Sequence, residues 1–145
     1  AGLNGRVVMT CFASNVARLR IAAEAARKTQ RELCFVGRSL WRIFDAAEQC
    51  NYWKGLPQPF EDAEVDMMPA QHVLYVATGC QGEERAALSR MASGEHRYVH
   101  LEAGDNVIFS SREIPGNERE VARIQNLLIE RGVRVITHDD APVHV

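Results

Sequence analysis

Apolar positions along the chain fall into two alternating patterns. Short unbroken apolar runs rich in β-branched residues occupy residues 6–12, Glu32–Val36, Val73–Ala77 and residues 133–137. Runs of that length without polar alternation read as strands buried on both faces. Between them, apolar residues recur at helical spacing. Val16, Leu19, Ala23 and Ala26 mark a helix running through Lys28, with Ser14 or Asn15 as its cap. Leu40, Ile43, Phe44 and Ala47 mark a second, capped by Ser39. Residues 83–92 read as a third. Val121, Ile124, Leu127 and Leu128 mark a fourth, opened by Asn117 with Glu120 at the capping-box position and closed by Gly132. Residues 97–102 and Asn106–Phe109 read as two short strands joined by Ala103, Gly104 and Asp105. Residues 52–69 break every period. Pro57, Pro59 and Pro69 interrupt them around Glu61, Asp62, Glu64 and Asp66, so they read as a long irregular connection.

The resulting order is strand, helix, strand, helix, strand, helix, strands, helix, strand. This alternation predicts an α/β fold: a three-layer, mostly parallel sheet flanked by helices on both faces. The 145 residues are expected to form a single domain, long enough to bury a sizeable core.

Composition narrows the function classes. Apolar content of 46% and charged content of 25% are ordinary for a globular protein. A formal net charge of −2 excludes a strongly basic nucleic-acid binder, so any such contact needs a local patch. The cations are nearly all arginine, which suits bidentate phosphate contacts. No apolar stretch is long enough to span a membrane, and no signal peptide is recognised. Cys11, Cys34, Cys50 and Cys80 show neither paired nor zinc-finger spacing and read as reduced thiols of a cytoplasmic protein. The chain reaches strand-like sequence almost at once and stops just after another such run, which suggests a piece of a longer protein.

Candidate chemistry gathers where strands run into helices. In a parallel sheet those loops share the carboxyl edge, where ligands bind. Four of them are small and polar: Phe12, Ala13, Ser14 and Asn15; Val36, Gly37, Arg38 and Ser39; Ala77 to Glu83 through Thr78, Gly79, Cys80, Gln81 and Gly82; and Ser110 to Glu118 through Ser111, Arg112 and Asn117. Helix N-termini with free N–H groups there would receive an anion. The same residue types also cap and turn the chain without any ligand. The Gly79–Gly82 loop lacks the lysine of a P-loop, and Glu83 and Glu84 stand where a phosphate would sit. Glu83 therefore reads as a brace for its own loop or for an arginine such as Arg38. The histidines at 72, 96, 100, 138 and 144 form no metal-binding or triad pattern, and Trp41 and Trp53 read as packing residues. No catalytic residue and no metal ligand is assigned.

Taken in order, these strings resemble the RNase J family. Thr10 to Arg18 is similar to its T-x-F-A-S-N-x-x-R segment, and Gly37-Arg38-Ser39 to its G-R-S loop. Thr78 to Glu83 with Ala87 to Ala92 resembles T-G-S-Q-G-E and A-L-S-R-M-A. Gly104 to Ser111 and Ile114 to Glu118 resemble G-D-x-V-I-x-S-S and I-P-G-N-E. Cys11 and Cys80 depart from the pattern, where Thr and Ser are usual. The resemblance implies a Rossmann-like β-CASP domain of a ribonuclease with a metallo-β-lactamase catalytic domain elsewhere in the same chain. It implies no cofactor in this segment and two zinc ions in that other domain. It also implies single-stranded RNA as partner, exo- and endonucleolytic activity of the parent, a segment inactive alone, and a homo-oligomeric cytoplasmic parent. The RNA-side residues it suggests are Ser14, Asn15, Gly37, Arg38, Ser39, Thr78, Gly79, Gln81, Gly82, Ser110, Ser111 and Asn117, with Glu83 and Glu118 as braces. The alternative is a self-standing α/β module that binds a nucleotide or small phosphorylated ligand at the same edge.

Overall fold

The computed structural model describes residues 2–143. The apolar runs become strands β1 (Val7–Thr10), β2 (Glu32–Val36), β4 (Val73–Ala77), β5 (Asn106–Phe109) and β6 (Arg134–Ile136). A two-residue strand β3 (Phe60–Glu61) lies inside the proline-interrupted stretch and pairs with Cys34 and Phe35. All six strands run parallel in the order β3-β2-β4-β1-β5-β6. Helices α1 (Val16–Lys28), α2 (Arg38–Gln49), α3 (Ala87–Ser93) and α4 (Glu118–Glu130) cover the sheet.

The two-residue period of the strands sorts the core into two halves. Val7, Met9, Leu33, Phe35, Leu74 and Val76 face Leu19, Ala23 and Ala26 of α1 and Leu40 and Phe44 of α2. Val8, Cys34, Val36, Tyr75, Ala77, Val107 and Phe109 face Leu88 and Met91 of α3 and Val121, Ile124 and Leu128 of α4. Phe35, Trp41, Phe44 and Trp53 lock α2 down by edge-to-face contacts at 5.2–6.0 Å between ring centres. These contacts bear out the packing role read for both tryptophans. The one buried hydroxyl of β1, Thr10 Oγ1, donates to Ala77 O at 3.0 Å.

Several elements differ from the sequence expectation. Residues 97–102 form no strand, although Val99 and Leu101 are buried. Their backbone is held by side chains instead: Tyr98 and Val99 N–H groups donate to His96 Nδ1, and Glu102 N–H donates to Asp105 Oδ2. The third helix starts at Ala87 rather than 83, because residues 79–86 reach across to α4 first. There Gly82 lies so close to Glu120 that a Cβ would stand 2.5 Å from its carbonyl carbon. Gly37, not Ser39, is the N-cap of α2. Asn117 sits at the N-cap of α4 without a side-chain cap bond, and Glu120 turns to Arg123 instead of closing a capping box. Gly132 (φ +77°) does end α4, with Gly132 and Val133 N–H groups donating to Ile129 O and Leu128 O.

Candidate functional site

Because α1 and α2 lie on one face and α3 and α4 on the other, neighbouring strands send their loops to opposite sides. Crevices therefore open at the carboxyl edge between β2 and β4, β4 and β1, and β1 and β5. All four polar loops line this edge. In three of them several polar side chains are engaged within the protein, whereas, among the described residues, those of the fourth are free.

The β1, β4 and β5 loops form a braced unit. Asn15 Oδ1 accepts the Arg18 N–H at 3.0 Å and caps α1, while Ser14 is exposed. Thr78 Oγ1 accepts the Ala87 N–H at 3.2 Å and so caps α3. Gly79, Cys80, Gln81 and Gly82 are all buried. Gln81 stitches two loops together: its Nε2 donates to Arg112 O at 2.9 Å, and its Oε1 accepts from Ile114 N at 2.8 Å and Asn117 Nδ2 at 3.3 Å. The Gln81 side-chain amide is thus engaged within the protein at both ends. Glu83 Oε2 accepts the Gln81 N–H at 3.0 Å, and Glu118 Oε2 accepts the Gly116 N–H at 2.8 Å. Both carboxylates brace their own loops, and Glu83 holds no arginine among the described residues. Ser110 is buried and donates to Val143 O, which also accepts from Arg18 Nη1 at 3.2 Å. Ser111 is buried beside the Cys80 thiol, and its hydroxyl meets no oxygen or nitrogen partner.

The thiols at this edge are poor nucleophiles. Burial, together with neighbouring Cys80, pushes Cys11 up to about 12. Burial also raises Cys80, against hydrogen bonds from Ser111 and Gln81.

The β2 loop is different. Gly37 (φ +133°) passes against Thr78, where a Cβ would meet Thr78 Cγ2 at 2.5 Å, so only glycine fits. Arg38 and Ser39 are exposed, and no side chain caps α2. Together with α3 they border a cleft of about 520 Å³, lined also by Trp41, Asp62, Arg85, Arg90 and His96. His96 is 5% exposed, with Nε2 at 3.6 Å from Asp62 Oδ2. The sequence reading did not single out Arg85, Arg90 or His96 for this site. They come from α3 and its flanking turns, and no local spacing signals that helix packing brings them beside β2. The His138-Asp139-Asp140 cluster is an exposed turn in which Asp140 Oδ2 accepts from Thr137, and His144 lies outside the described residues. Among the described residues, no group of three His, Cys, Asp or Glu stands together as a metal-holding cluster.

An open parallel sheet with helices on both faces and braced polar loops along its carboxyl edge defines a Rossmann-like α/β domain. The chain belongs to the β-CASP domain family of ribonuclease J: the family model "Ribonuclease J, beta-CASP domain" matches residues 4–128. It is 43% identical over 145 residues to Ribonuclease J of Sinorhizobium meliloti, covering 100% of this chain and 26% of that protein. It is 45% identical over 145 residues to Ribonuclease J of Mycolicibacterium smegmatis, covering 99% and 26%. Against Ribonuclease J of Helicobacter pylori strain J99 it is 39% identical over 142 residues, covering 97% and 20%. The chain thus spans about a quarter of the length of the first two. No helix among the described residues is long and apolar enough to cross a membrane.

Proposed function

We propose that this domain holds single-stranded RNA against the catalytic centre of a metal-dependent ribonuclease of the RNase J type. The match to the ribonuclease J β-CASP model over residues 4–128 carries the reading. In it, the carboxyl edge forms one wall of a substrate cleft. A metallo-β-lactamase domain of the same parent chain forms the other wall and supplies two zinc ions and the proton-transfer groups. The parent hydrolyses RNA phosphodiesters from an end and internally, and works as a cytoplasmic homo-oligomer. Ser14, Arg38 and Ser39 contact the RNA, while Asn15, Thr78, Gln81, Glu83, Asn117 and Glu118 hold the loops in place. The buried, raised Cys11 and Cys80 thiols support a binding role for this segment.

The test is a phosphodiesterase assay on the purified chain with added zinc or manganese. No turnover above buffer is expected. Sustained hydrolysis that survives repurification would place the chemistry in this segment and overturn the reading.

A further inference from the structure

Arginine guanidinium groups gather at one crevice of the carboxyl edge, while Ser14 and Arg112 stand singly in the β1 and β5 loops. The polar side chains of Asn15, Gln81, Ser110 and Asn117 are all engaged within the protein. Arg38, Arg85 and Arg90 line the β2–β4 cleft, all three are exposed, and among the described residues their guanidinium groups make no hydrogen bond or ion pair. Three unpaired cations around one concavity repel one another until a counter-charge arrives. The acids at hand only partly supply it. Asp62 faces His96 and accepts the Ala63 N–H at 3.0 Å. Glu61 is exposed, and apart from these two carboxylates nothing in the lining is acidic. His96 is held neutral, since its Nδ1 accepts two backbone N–H groups. With three arginines against two carboxylates, the lining carries 3 − 2 = +1 in a chain of net charge −2.

Two further features suit an anion. Gly37 leaves the first turn of α2 without a side-chain cap, so its N–H groups stay unclaimed at the mouth of the cleft. The volume, about 520 Å³, lies in the range of about 300–1,000 Å³ usual for ligand sites, larger than one phosphate needs.

We infer that the β2–β4 cleft is the phosphate-tracking segment of the RNA path, holding backbone phosphates of a single strand on Arg38, Arg85 and Arg90. This rests on the RNA-holding function proposed above and assigns its electrostatic grip to one crevice of the edge. The β4 and β5 loops then act as its rigid wall.

The experiment is an amide and arginine side-chain NMR titration of the isotope-labelled chain with an eight-nucleotide oligouridylate at low salt, repeated with Arg85→Ala, Arg90→Ala and, as a control on α4, Arg123→Ala. The expected result is shifts at Arg38, Ser39, Thr78 and Arg85. Each cleft variant weakens binding severalfold and lowers the salt dependence by about 0.7 per lost phosphate contact, whereas Arg123→Ala leaves both unchanged. The exposed positions make all three variants fold-neutral, which their unchanged spectra without RNA verify. Shifts confined to residues 12–15 and 110–117, with wild-type affinity in the cleft variants, would overturn this inference and leave RNA holding intact. Uridine without phosphate shifting the cleft amides as strongly would also overturn it. No shift anywhere would overturn both.

Discussion

Gln81 uses both ends of its amide inside the protein, joining the β4 loop to Arg112, Ile114 and Asn117 of the β5 loop. Its place in a glycine-rich loop suggests ligand contact from sequence, because local sequence does not show which way an amide points. Replacing it with Leu removes the partner of the Arg112 carbonyl and of the Ile114 N–H, at about 1 kcal/mol for each bond lost, since both groups can turn to water. Gln81→Leu is therefore expected to lower the chemical-denaturation midpoint and speed amide exchange at Ile114. Unchanged exchange there would contradict the bracing role. His96 gives a second prediction. Burial lowers its pKa below the ordinary 6.5, with Asp62 opposing. A depressed folded-state pKa means that the unfolded chain binds the extra proton first, so its contribution is present above about 6.5 and lost as pH falls below that. The thermal midpoint should drop between pH 7.5 and 5.5, and His96→Gln should flatten that drop. An equally steep profile in the variant would refute the assignment.

At the level of elements, the expectation held wherever the pattern was dense. The bounds of α1, β2, β4 and β5 match the apolar periods, because buried strands and amphipathic helices each impose a distinct spacing. It failed where side chains replaced backbone pairing. Val99 and Leu101 look like an alternating strand, yet His96 and Asp105 take the N–H groups that a ladder would need. It also failed at β3, whose two residues carry no period. The delayed start of α3 has a cause that a point change exposes. Gly82 (φ +79°) lies against the Glu120 backbone, whereas Gly104 (φ +93°) faces open space. Gly104→Ala should cost about 1 kcal/mol for the left-handed conformation alone. Gly82→Ala adds a backbone collision and should cost clearly more, as read by paired denaturation curves. Equal costs would show that the β4 loop does not seat on α4.

For the molecule as a whole, the alternation of strands and helices made the parallel three-layer fold legible in the sequence, together with the carboxyl edge where the polar loops gather. The ordered strings made the family legible as well. The cleft was only half legible. Gly37, Arg38 and Ser39 lie in a recognisable loop, but Arg85, Arg90 and His96 join them only through packing of α3 on the sheet. In the function proposed above, this domain is one wall of an RNA cleft rather than a complete binding module. Fluorescence anisotropy with labelled single-stranded RNA tests it most directly, comparing the chain alone, the chain within its parent protein, and competition by a mononucleotide. Weak, salt-sensitive RNA binding is expected of the chain alone, given its net charge of −2, with a large gain in the parent and little competition. Tight mononucleotide binding by the chain alone, with no preference for RNA and no gain in the parent, would contradict it.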